Sequence, residues 1–255
     1  MTRIPLADAQ IGQDRITGLL LAGGVVGSLL FVAVLLIEGA TRPGYDGWVQ
    51  AGSALSLSGW GWMQIVNFVI CGVLFFGFAI GLRRMLTPDG RGSTWGPRLI
   101  AALGLALLVA GVFVTDPAQG YPLGTPSGPA VTTSWHGAIH AFAGVMIFVV
   151  LLPIGCYVMA SYFAKAVNIR GWALYSIATG LVIWASFTAF IVAGLHNGPA
   201  GFYERIAIIA GWGWIALLAL RYLPQTRPSA SAVQATGALS QRPDHKRPQR
   251  EDEAS

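Results

Sequence analysis

The sequence predicts an all-α polytopic membrane protein, a six-transmembrane-helix bundle with N-in/C-in topology. Three observations predict it. First, 54% of the 255 residues are hydrophobic, only 11% are charged and mean hydropathy is +0.60. A soluble domain carries about 25% charged residues, so lipid must be the solvent for much of this chain. Second, six apolar runs approach or exceed the roughly 20 residues needed to cross a bilayer. Third, the basic residues fall on alternate connections. Of sixteen Lys and Arg residues, only Arg42 and Arg205 lie on the side opposite the others.

The elements follow in order. Residues 1–15 are polar and form a cytoplasmic N-terminus. The apolar run after them is too long for a signal-peptide core and has no A-x-A-like cleavage site, so it reads as a retained helix. The predicted spans are Ile16 to Ile37, Met63 to Leu82, Leu99 to Thr115, Trp135 to Ala160, Gly171 to Leu195 and Ile206 to Tyr222. Together they make a transmembrane domain over 16–222. Residues 223–255 are rich in Pro, Ser, Gln and charge, and read as a disordered cytoplasmic tail. Small residues such as Gly23, Gly24, Gly27, Gly72 and Gly77 are expected at helix contacts, because lipid supplies no hydrophobic drive for association. Pro153 is expected to kink the fourth span. Trp48, Trp60, Trp62, Trp135, Trp212 and Trp214 are expected in an aromatic belt.

Charge sign narrows the partners. The net charge is +5, but its one-sided distribution is what the positive-inside rule produces. That places the termini in the cytoplasm and the protein in the cell (plasma) membrane. It argues for the lipid bilayer as partner and against nucleic acid. Cys71 and Cys156 fall at different depths of apolar spans and read as unpaired packing residues.

The outer connections are 38–62, 116–134 and 196–205, and they hold most of the polar chemistry. The first, with Ser53, Leu55 and Leu57, suggests a short amphipathic helix lying on the bilayer. Glu38, Asp46, Asp116, His136, His140, His196, Glu204 and Arg205 all fall at this level, joined by Gln64 and Asn67 at the top of the second span. These ten residues form a candidate pocket.

His136 and His140 stand at i and i+4, so both rings leave one helix face. With Asp116 and His196 as further ligands, that spacing suits zinc or another divalent metal. The string His-Gly-Ala-Ile-His lacks the Glu that follows the first His of zincin proteases, so that chemistry is excluded. Four readings remain open: hydrogen bonding that only closes the outer face, a metal site for outer-leaflet hydrolysis, a pocket that binds or transports a lipid or small molecule, and a haem held by His residues of two helices.

Several strings resemble a family of prokaryotic membrane proteins, domain-of-unknown-function family nine-nine-eight. They are Thr41-Arg42-Pro43-Gly44-Tyr45-Asp46, Ser53 to Leu57, Gly61 to Phe68, Phe113 with Asp116-Pro117, and His136 with His140, with a looser match over Gly201 to Arg205. The resemblance covers roughly residues 20 to 222. It implies a six-span membrane domain and transfers no reaction to any residue.

Overall fold

The computed structural model describes residues 6–88, 90–165 and 169–223. The tail, apart from Leu223, and residues 1–5 lie outside them. The described chain is helical. α1 spans Leu6–Thr41, a short 3-10 helix η1 spans Gly52–Leu57, and α2 and α3 span Trp62–Met85 and Arg91–Val112. α4 (Trp135–Val145), a π-helical turn (Met146–Leu151) and α5 (Leu152–Phe163) form one continuous rod. α6 (Arg170–Leu195) and α7 (Ala200–Tyr222) follow. Six helices are long and apolar enough to cross a membrane, counting α4 to α5 as one. Each rod packs on the next in sequence and α7 packs back on α1, so the spans close into a ring.

Glycine sets the closest contacts. A Cβ on Gly72 would lie 2.7 Å from the Gly104 carbonyl, and one on Gly104 would lie 2.6 Å from the Gly72 carbonyl. Only a bare backbone on both sides allows α2 and α3 to approach so closely. On α1, a Cβ at Gly24 would meet Phe78 of α2 and Ala219 of α7 at 2.9 Å.

The expected kink at Pro153 takes the form of the π turn just before it. Pro153 has no N–H to offer the Val149 carbonyl four residues earlier. The indole of Trp184 on α6 donates to that carbonyl instead, at 2.7 Å. The loss of one helical bond thus becomes a cross-link between two spans.

Three expectations need correction. Trp212 and Trp214 are 1% and 0% exposed and do not join the exposed Trp48, Trp60, Trp62 and Trp135. Trp214 donates to Ser176 Oγ at 3.0 Å, and Trp212 packs in the ring's centre against Phe31, Phe75 and Phe148. η1 does not lie on a bilayer, since Gly52, Ala54, Leu55 and Ser56 are buried. α7 starts at Ala200 rather than Ile206. Glu204 and Arg205 interrupt the hydropathy, yet both have partners that keep them inside the first turns. Cys71 and Cys156 are unpaired and buried.

Candidate functional site

Ionisable residues from the helix ends form four arrangements at the end of the ring that carries the 42–61 and 113–134 loops. The first anchors the 42–61 loop. Arg42 Nη2 donates to Glu38 Oε1 at 2.6 Å, one helical turn back. The same guanidinium reaches Ser58 Oγ, the Leu55 carbonyl at 3.4 Å and the Trp60 carbonyl at 3.3 Å. The C-terminal end of η1 and the residues after it are thereby tied to the top of α1.

The second arrangement joins that loop to α7. Arg205 donates to Tyr45 Oη at 2.7 Å and to the Gly201 and Gln50 carbonyls at 2.9 and 3.3 Å. Tyr45 in turn donates toward the Gln50 and Ala51 carbonyls. Burial pushes the Tyr45 phenol well above its ordinary range, against the opposing pull of Arg205, so it remains a hydrogen-bond donor. The Gly201 and Phe202 amides, orphan donors of the first helical turn, are taken by the Val49 and Trp48 carbonyls at 3.1 and 3.0 Å.

The third links α3 to α4. Ser134 caps α4 by accepting the Gly137 amide at 3.0 Å. Asp116 accepts the Ser134 hydroxyl at 2.6 Å and its amide at 2.9 Å. A Cβ at Gly137 would collide with the Asp116 carboxylate, so glycine lets the acid seat over the positive end of the helix. The two histidines run beside α3. His136 Nδ1 is 2.9 Å from the Val114 carbonyl, and His140 Nδ1 is 2.9 Å from both the Ala110 and Phe113 carbonyls. A carbonyl only accepts, so each Nδ1 carries hydrogen. The i, i+4 pair therefore satisfies carbonyls that the end of α3 leaves free. It leaves each Nε2 on the opposite ring edge.

The fourth is a cavity of about 340 Å³ inside the ring. All six spans contribute to its wall, and so do the η1 segment and the 115–119 loop. Its polar groups include Gln64, Asp116, Gln119, His140 and Glu204, in a surface otherwise largely apolar. Trp212, the central indole, also lines it. Glu204 Oε2 accepts the Gly52 amide at 2.6 Å, and Oε1 has no hydrogen-bond partner among the described residues. Gln64 Oε1 accepts from Asn67 Nδ2 at 3.2 Å, while Gln64 Nε2 and Asn67 Oδ1 are buried without partners. On one side the wall is a cleft. Ala141 and Val145 of α4 and Ile191 of α6 line the cavity and are also exposed on the bundle's outer surface. There α6 packs on the π turn and α5 below rather than on α4.

The sequence-derived set is thus divided. Gln64, Asp116, His140 and Glu204 share the cavity, and Asn67 supports Gln64. Glu38 and Arg205 are structural ties. Asp46 is exposed and accepts the Trp48 amide at 2.9 Å. His196 is exposed, with Nδ1 2.8 Å from Val192 O on its own helix. Among the described residues no three His, Cys, Asp or Glu stand where one metal ion would bind. The proposed ligand set of His136, His140, Asp116 and His196 therefore gains no support, because the first three have turned toward backbone and Ser134 and the fourth faces outward.

Sequence reasoning missed Ser134, Gln50 and Gln119. Gln50 Nε2 donates to the Gln119 carbonyl at 2.9 Å, and Gln119 Nε2 donates to the Gly194 carbonyl at 2.7 Å, which closes the cavity's loop side. Ser134 carried a legible signal, as a Ser directly before an apolar helix is an N-cap. No curated protein and no solved structure matches this chain. A family model does match, over residues 25–221, and the chain belongs to that family, whose description is "Protein of unknown function (DUF998)".

Proposed function

We propose that this protein binds a small, largely apolar molecule with a polar head in the cavity between its six spans. The observation that carries the reading is the wall itself. It is apolar over most of its area, and Asp116, His140 and Glu204 converge on it from three different spans or their ends. Its volume falls in the range typical of small-molecule pockets, roughly 300–1,000 Å³. Glu204 Oε1 provides an acceptor that the protein leaves unused. A buried polar group without a partner costs about 1–3 kcal/mol, which a ligand's head would recover.

The distribution of basic residues supports placing the cavity at the outer face of the cell membrane, with both termini in the cytoplasm. Trp212 and its aromatic neighbours fill the ring beneath the cavity, which favours binding over passage through a central pore. Metal-assisted hydrolysis has no converging ligand set among the described residues and is the weaker reading.

A cavity-filling substitution tests the proposal. Gly144 lines the cavity, and a Cβ there meets nothing within 4 Å. Gly213 also has open space around its Cβ and does not line the cavity. Protein extracted in mild detergent would be analysed by mass spectrometry for co-purifying small molecules. The wild type and Gly213→Phe should carry a compound at near-stoichiometric amount, and Gly144→Phe should have lost it. Identical profiles from all three proteins would defeat the proposal.

A further inference from the structure

The charge and shape of the cavity narrow the class of ligand, and this step rests on the binding reading above. Two carboxyl groups, Asp116 and Glu204, line the wall, and among the described residues no Lys or Arg does. Arg205 follows Glu204 directly, but its guanidinium is committed to Tyr45, Gly201 and Gln50. Glu204 is 7% exposed, and one of its oxygens is unpartnered. A carboxylate so placed is costly in a low-dielectric setting unless a positive charge or donors meet it. The wall also carries the rings of Phe31, Phe68, Phe148, Phe187, Phe190 and Trp212, among which Phe148 stacks on both Phe187 and Trp212. Aromatic faces attract cations at close range and gain strength when water is excluded. An anionic head would meet two acids, and a neutral head would leave Glu204 without a counter-charge, whereas Asp116 is already met by Ser134 and the start of α4.

The cleft between α4 and α6 accounts for the rest of the molecule. Ala141, Val145 and Ile191 are apolar, line the cavity and reach the bundle's lipid-facing exterior. An alkyl tail can lie there in contact with lipid while its head sits inside. We infer that the cavity takes the head of a cationic amphiphile, an amine or quaternary ammonium on an alkyl tail, which reaches it from the bilayer through the α4–α6 cleft. Glu204 is the main counter-charge, Asp116 the second, and the aromatic faces surround the ammonium.

Three probes with the same tail separate the possibilities: decyltrimethylammonium, decanol and decanoate. Each would be titrated calorimetrically into protein held in phosphatidylcholine nanodiscs. Gly144→Phe subtracts simple partition into lipid. In the wild type the ammonium should bind at least about tenfold tighter than either other probe, the scale of one charge-assisted contact. Glu204→Gln keeps an acceptor for the Gly52 amide and removes the charge. It should abolish the preference for the ammonium, lowering that probe's affinity by at least about tenfold relative to decanol. Equal binding of all three probes, or preference for decanoate, overturns the cationic inference but leaves the cavity reading intact, provided Gly144→Phe abolishes the binding. If no probe distinguishes wild type from Gly144→Phe, both fail. Should Glu204→Gln not fold, the wild-type ranking of the three head groups decides alone.

Discussion

Arg42 is the residue on which the loop architecture turns. Its side chain and that of Glu38 are 6% and 3% exposed, and the guanidinium holds the C-terminal end of η1 and the residues after it. Removing one member of a buried pair strands the other charge, which costs about 3–5 kcal/mol. Arg42→Met should therefore lower the unfolding free energy by that order. Glu38→Leu combined with Arg42→Met should cost less than Arg42→Met alone, because the stranded carboxylate is gone. Denaturation of detergent-solubilised protein followed by circular dichroism would measure both, and equal losses would show that the pair is not coupled. At this scale the sequence was half legible. That Glu38, Arg42, Asp116, His136, His140 and Glu204 cluster near one level follows from their places at helix ends. Which partner each takes does not, because the choice depends on side-chain reach across spans. His140 shows why. Helical spacing turned it toward the bundle interior, but whether its ring met Asp116 or the carbonyls of α3 depended on how far α3 continued. α3 ends at Val112, three residues short of the expected Thr115, and that early end frees the Ala110 and Phe113 carbonyls for the ring.

The elements were more legible than their contacts. Each apolar run emerged as a helix, but three begin well before the expected residue: α1 at Leu6 rather than Ile16, α3 at Arg91 rather than Leu99, and α7, where charge broke the hydropathy, at Ala200 rather than Ile206. There the Trp48 and Val49 carbonyls and the Gly52 amide provide what lipid cannot. The fourth rod carries its own test. If Trp184 compensates for the missing N–H of Pro153, Trp184→Phe should cost about 1 kcal/mol, the net worth of one hydrogen bond. Adding Pro153→Ala should return much of that, since an amide again becomes available to the Val149 carbonyl. Thermal melts of the two variants against wild type would show it, and no recovery in the double variant would mean that the π turn has another cause. η1 was misplaced because its pattern of Leu55 and Leu57 suits a lipid surface and a protein interior alike. Only the ties from Arg42 and Glu204 select the interior.

For the molecule as a whole, orientation is the next measurable property. Arg83, Arg84, Arg91 and Arg98 flank the connection between the second and third spans, and the 116–134 connection has no Lys or Arg. Reporter fusions after Arg91 and within residues 122–129 should report opposite sides of the membrane, with the first in the cytoplasm. Signals from the same side would break the six-span topology. The ring arrangement has a consequence for biosynthesis. α7 is made after the other five described spans, yet it contacts the first, holds the 42–61 loop through Arg205 and Glu204, and places Trp212 at the centre. Until it inserts, α1 has one open flank, Gly52 lacks its acceptor and the pocket has neither its floor nor its main acid. On the proposed binding reading, the nascent protein does not engage a ligand before α7 is in place, and binding competence arrives in a single step when that helix enters the membrane.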